Sequence, residues 1–357
     1  MTLSYYNIPS DPLRAVFRSE ILAKLGAKKH VSTPLQWRLN VLEACGPMPT
    51  DPLKRLEIRA WRAQKAAWES YLAASFASGL FEGSPGKQLR AKLTEPDDDN
   101  FRGAMAECLA CWYFSCRIGA RVRRTEERGA DFHTQMRDVF VGVEVKSPLR
   151  ERPDDGKLWW GDDRDKIAQC IKKAGDQFLD SGANILVLVP DLRMPVSHDR
   201  ETLVRALYGE SVIKFDFNVE EARLENPRAE FRRTGKFLNR WLASGRPVKR
   251  NMEPGFRRIS AVLCIEERLS HKWPNPDPTV FELPREHRNV SEYWSIFKRQ
   301  RAAYLCPENE SWVSHDAMIL HNPHAYCSVP EHLWGEIPQF VPRGNAMEWT
   351  DGYKCAV

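Results

Sequence analysis

The sequence predicts a mixed α/β fold, one sheet with helices on its faces, preceded by a helical N-terminal region and followed by a C-terminal elaboration. Three observations carry this. The run Asn184-Ile185-Leu186-Val187-Leu188-Val189-Pro190 is continuously apolar and of strand length, as a strand buried on both faces requires. Val139, Val141, Val143 and Val145 alternate with Phe140, Gly142, Glu144 and Lys146, the period-two pattern of a strand with one apolar face. Between residues 100 and 190 the order reads helix, strand, strand, strand, helix, strand, and a strand–helix–strand step makes a parallel crossover.

The elements follow in chain order. Residues 1–50 mix short helical pieces with turn signals such as Ile8-Pro9-Ser10-Asp11-Pro12. Residues 52–80 read as one helix, with Pro52 in its first turn and Asp51 as its cap, broken by Glu82-Gly83-Ser84-Pro85-Gly86. Pro96-Asp97-Asp98-Asp99-Asn100 supplies capping residues for a helix from about Phe101 to Arg117. Strands are expected over Ala120–Arg124, Asp131–Gln135 and Val139–Ser147, and a helix from Asp163 to Leu179, ended by Ser181-Gly182. Beyond Pro190 the reading gives a helix at Leu203–Tyr208, a strand at Val212–Phe217 and an amphipathic helix at Phe231–Leu242. Ile259–Ile265 and Ala317–Leu320 are expected to add strands to the same sheet, and the Pro- and Trp-rich tail shows no clear period. The organisation expected is a helical region over 1–95, a core over 96–270 and an extension packed on it over 271–357.

Composition narrows the classes. Of 357 residues 42% are hydrophobic and 28% charged, ordinary for a globular chain. No apolar run nears the ~20 residues of a membrane span, and the start has no basic-then-apolar leader pattern. Nine irregularly spaced cysteines argue for reduced thiols and a cytoplasmic setting. Cys108, Cys111 and Cys116 point in mixed directions on one helix and make no zinc signature.

The chemistry gathers on the valine-faced strand. Glu144 and Lys146 share its polar face. With Arg137-Asp138 as a two-residue hairpin loop, Met136 pairs with Val139 and Asp131 falls opposite Glu144, with Cβ atoms roughly 5 Å apart. Two carboxylates that close repel unless a cation joins them, and a divalent ion supplies one. A metal held by two acids, with a lysine beside it, is what phosphodiester hydrolysis asks for: an activated water and neutralised phosphate charge.

Asp131 followed after twelve residues by Glu144-Val145-Lys146 resembles the motif of the PD-(D/E)XK nuclease superfamily, with Ala130 where the motif has proline. Glu107 occupies the place of the family's glutamate on the preceding helix, and Gln169 with Lys172 or Lys173 fits its glutamine–lysine element on the following one. The resemblance covers about residues 100–190. It implies a restriction-endonuclease-like fold and a Mg²⁺- or Mn²⁺-dependent nuclease of DNA, in microbial defence or DNA processing. Glu107, Asp131, Glu144 and the Val145 carbonyl would hold the metal. Lys146 would orient water, and Gln169 and Lys172 would help position the backbone.

The substrate hint lies in residues 228–258, where ten Lys and Arg, among them Arg232, Arg233, Lys236 and Arg240, face two acids. Such a strip suits phosphate contact. Trp159 and Trp160 follow the site on an acidic loop, where stacking on bases and packing on a neighbour are both open. His321-Asn322-Pro323-His324 reads as a turn. Two alternatives stand beside the nuclease reading: a module that binds nucleic acid or a partner without cutting, and a subunit, homo-oligomeric or partnered, that cuts only when triggered.

Overall fold

The computed structural model describes residues 8–27, 33–124, 130–148, 163–179, 182–190, 200–218, 223–234, 255–271, 311–343 and 346–350. Its helices are α1 (Pro12–Val16), α2 (Ser19–Gly26), α3 (Thr33–Leu42), α4 (Pro52–Ala77), α5 (Gly83–Thr94), α6 (Asp98–Trp112), α7 (Asp163–Gln177) and α8 (Arg200–Tyr208). The strands are β1 (Arg121–Arg124), β2 (Phe132–Met136), β3 (Val139–Lys146), β4 (Ala183–Leu188), β5 (Gly209–Asn218), β6 (Arg223–Thr234), β7 (Ala261–His271), β8 (Ser311–His321), β9 (Gln339–Arg343) and β10 (Ala346–Thr350).

One mixed sheet joins eight strands in the order β1-β2-β3-β4-β7-β8-β9-β10, and β5 with β6 forms a separate two-stranded ribbon. β1, β2 and β3 run antiparallel in turn. The α7 crossover then brings β4 in parallel to β3, and β7 lies parallel to β4. Thus both expected additions, near Ile259 and Ala317, enter the main sheet as β7 and β8.

The sheet is covered on both faces. Val141, Val143 and Val145, with Ile185 and Val187, pack into a core shared with α4 and α6. Leu186, Leu188 and Val262 face the other way, onto Ile167, Ile171 and Ala174 of α7 and Leu203 of α8. The first core runs from Leu13 to Trp334, so all three expected segments bury side chains in it.

Local chemistry sets the helix that matters most. Asp97 caps α6 by accepting from the Asn100 N–H at 2.8 Å. The guanidinium of Arg38, fully buried, donates to the carbonyls of Glu95 and Pro96 at 2.7 and 3.2 Å and lies 4.3 Å from the centre of the Phe101 ring. These contacts fix where α6 begins. Across the sheet end, Tyr71 of α4 donates to Glu267 of β7 at 2.6 Å and touches His315 of β8. On the opposite face Gly175 of α7 meets Gly255 so closely that an added Cβ would stand 2.6 Å from backbone atoms.

One expected element is wrong in kind. The helix read at Phe231–Leu242 begins as strand, since β6 continues to Thr234 paired with β5; residues 235–254 lie outside the described residues. Its Pro227, which cannot donate to a ladder, falls opposite the irregularity between Lys214 and Asp216, where no partner is required of it. The tail also holds more order than its pattern shows, as β9 and β10.

Candidate active site

The β2–β3 hairpin turns on Arg137 and Asp138, with Met136 paired to Val139, so the register anticipated from the two-residue loop is the one formed. Arg137 takes φ 53°, the left-handed conformation such loops require. The ladder ends one residue earlier than expected, at Phe132 opposite Val143. Asp131 then leaves the strand. Its N–H donates to the Val143 carbonyl at 2.9 Å, and its carboxylate accepts the Val145 N–H at 2.8 Å. The acid is thereby pinned across the C-terminal end of β3.

Glu144 and Lys146 lie side by side beneath α7, on the face of Leu186 and Leu188. Glu144 is 2% exposed. Lys146 donates to the Glu144 carboxylate and, at 2.9 Å, to the side-chain oxygen of Gln177. Val145 between them pairs with Val187 and points into the opposite core.

Glu107 reaches the same strand end from α6. It is buried among Ala104, Cys108 and Cys111, and accepts from Arg124 of β1 at 2.9 Å. Arg124 pairs with Phe132, the residue next to Asp131.

The charges are felt in common. Burial first, and then the charge of Asp131, push the Glu107 carboxyl from 4.5 up to about 8, against the opposing pull of Arg124 and Lys92. Burial and Asp131 likewise push Glu144 up to about 7, opposed by Lys146 and Gln177. Asp131 is itself raised by burial, while the Val145 N–H, Lys146, Arg124 and Lys92 pull it down. Three carboxyls from α6, the start of β2 and β3 therefore act on one another around Asp131, and each is short of positive charge.

As arranged here, no group of three or more His, Cys, Asp or Glu among the described residues could hold a metal ion. Two of the three acids are turned to protein cations instead, Glu107 to Arg124 and Glu144 to Lys146.

The remaining expected residues spread out. Gln169, Lys172 and Lys173 are exposed on α7, and the glutamine that meets Lys146 is Gln177, eight residues further on. Arg232 and Arg233 fall in β6 of the separate ribbon, while Lys236 and Arg240, with Trp159 and Trp160, lie outside the described residues. Cys108 and Cys111 are buried with burial-raised thiols, and Cys116 is exposed. His321 and Asn322 serve packing. His321 bonds to Gln339 at 3.0 Å, and Asn322 donates to the carbonyls of Phe256 and Ile259.

Sequence reasoning missed Arg124, Gln177 and Lys92. A signal existed only for Arg124: alternation along Arg121-Val122-Arg123-Arg124 puts it on the inward face with Val122, where an arginine needs an acid.

A small cavity of about 60 Å³ adjoins this strand end, lined by Trp37, Gln64, Arg102, Ser147, Val189 and Glu267 among others. A far larger one, about 1000 Å³, lies by the π-helical turn Tyr113–Arg117 and the 3₁₀ turn Glu331–Trp334. Neither cavity is lined by any of the three acids. No helix among the described residues is long and apolar enough to cross a membrane.

No family model, no curated protein and no solved structure matches this chain.

Proposed function

We propose that this protein is a metal-dependent nuclease of the PD-(D/E)XK type, with a restriction-endonuclease-like core from α6 to β4, acting on DNA. One observation carries the reading. Burial first, and then the charge of Asp131, raise the carboxyls of both Glu107 and Glu144, with Lys146 bonded to Glu144, at the C-terminal end of a strand lying parallel to its neighbour. That end of an α/β sheet is where such folds place ligands. The order α6, β1, β2, β3, α7, β4 is the one the family resemblance calls for.

The donors fit a hard divalent cation in kind. Carboxylate oxygens suit Mg²⁺ or Mn²⁺, and to reach one Glu107 and Glu144 would turn from Arg124 and Lys146. Asp131, Glu144 and Glu107 would hold it, with the Val145 carbonyl as a further oxygen. Bound there, the ion supplies Lewis acidity and water activation. Lys146 orients the attacking water and lends positive charge to the phosphate oxygens as the transition state forms. Gln177 steadies the Lys146 ammonium from α7. Asp131, tied to the Val145 N–H, keeps its carboxylate directed at the strand end. The basic run from Arg228 to Arg258 supplies backbone contact, salt-sensitive as all phosphate contact is.

The test uses plasmid, linear duplex, single-stranded DNA and RNA, each with Mg²⁺, Mn²⁺ or EDTA. Wild type should cut DNA with metal and not with EDTA. Glu144→Ala and Lys146→Ala should lower the rate at least about a hundredfold, the loss typical of removing a transition-state stabiliser. Cleavage that persists unchanged in both variants refutes the assignment. Salt-sensitive binding without cleavage points to a binding module, and cleavage only with an added protein points to a triggered subunit.

A further inference from the structure

Arg124 ends β1 beside the strand that leads out of Asp131. Its Nη1 donates to Glu107, and the two side chains are 14% and 8% exposed, nearly shut off from water. The Nε of the same guanidinium is buried and meets no acceptor. A fork of five donors is thus only partly used, which is poor provision for a settled ion pair. Lys146 differs: it is more exposed and has a second acceptor in Gln177. Arg124 therefore stands where positive charge is wanted, in a position it only partly satisfies.

We propose that Arg124 is a resident counter-ion that competes with the divalent metal for Glu107, and that a substrate phosphate draws it away. The inference rests on the metal-site reading above. An arginine does not withdraw by losing its proton, so it has to move. A guanidinium freed from Glu107 presents parallel N–H groups to a phosphate. Metal loading and phosphodiester binding are then coupled through this one positioning residue, and by linkage each strengthens the other.

Calorimetric titration of the full chain with Mn²⁺ tests it without any turnover. Arg124→Gln should bind Mn²⁺ at least tenfold more tightly than wild type. Glu107→Gln should bind more weakly, and Arg124→Gln should add nothing in that background, because the competition passes through Glu107. Arg124→Met, neutral and of similar reach, carries the same expectations where the glutamine variant folds poorly. In a Lys146→Ala background, chosen because it slows cutting, a short duplex should tighten Mn²⁺ binding several-fold, and Arg124→Gln should erase that gain. Equal or weaker Mn²⁺ binding on neutralising Arg124, with wild type binding normally, overturns the inference while leaving the metal site standing. So does a duplex effect that survives Arg124→Gln. Failure of wild type and the Arg124 variants alike to bind Mn²⁺ removes the metal site and this inference together.

Discussion

Replacing Glu144 with glutamine should stabilise the metal-free protein at pH 8 and leave it almost unchanged near pH 4.5. Glu144 is 2% exposed, and its carboxyl lies at about 7 in the folded chain against 4.5 ordinarily. The folded state holds this proton more tightly than the unfolded state does. The destabilisation is therefore absent below about 4.5, grows as pH rises, and is complete above about 7. The gap between the two values corresponds to about 3 kcal/mol. Glutamine keeps the shape of the protonated acid and lacks its charge, so the variant escapes this cost. A chain of 357 residues unfolds with an entropy of about 0.75 kcal/mol/K, so the effect is about 4 °C in Tm. Thermal unfolding in EDTA from pH 4.5 to 8.5 measures it, the quantity being Tm of the variant minus Tm of wild type. A difference that is flat with pH, or that widens toward acid, refutes the electrostatics given for this site. Excess Mn²⁺ at pH 8 should reverse the order, because ligand binding then stabilises wild type more than the variant.

Other perturbations probe the frame. Gly175→Ala drives a Cβ into the backbone of Gly255 and should cost about 1–3 kcal/mol, read as a lower urea midpoint with the slope unchanged. Arg137→Gly relieves a φ of 53° at the hairpin loop, and a gain of about 0.5–1 kcal/mol is expected in the same assay. Tyr71→Phe takes the hydroxyl from Glu267 and His315 and should destabilise by about 1–3 kcal/mol; no change in midpoint would show that α4 is held by its apolar face alone.

What could be read from sequence, and what could not, divides along physical lines. The β3 strand announces itself because its pattern is local: four valines at period two can face only one core. The Asp131 register was legible for the same reason, since a two-residue loop leaves little freedom in pairing. The end of the ladder was not. Whether Asp131 continues the strand or bends to cap the Val145 N–H depends on competition between two hydrogen bonds in three dimensions. Gln177 was missed in favour of Gln169 because helix periodicity fixes a face, not the height at which α7 crosses Lys146. Both residues are polar and both suit an exposed stripe. The β6 misreading has another cause: Phe231, Thr234 and the intervening arginines suit an amphipathic helix as well as a ribbon strand, and pairing with β5 decides.

A purely structural account of Glu107, Asp131 and Glu144 meets a difficulty of its own. Acids kept for ion pairing sit below their ordinary values, because the partner's attraction exceeds the cost of burial. Here Arg124, Lys92 and Lys146 all pull the right way, yet each acid is raised. Burial outweighs the protein's own cations, and Asp131 adds repulsion to both glutamates instead of relieving it. A sheet end that needed only stability would do better with glutamine or leucine at these positions. Their placement, with one buried N–H of Arg124 left unmet, is a local conflict of the kind that marks functional sites, where stability gives way to a ligand's charge. Loss of the charge of Asp131 alone would ease both glutamates at once, so the conflict is centred on that one carboxylate.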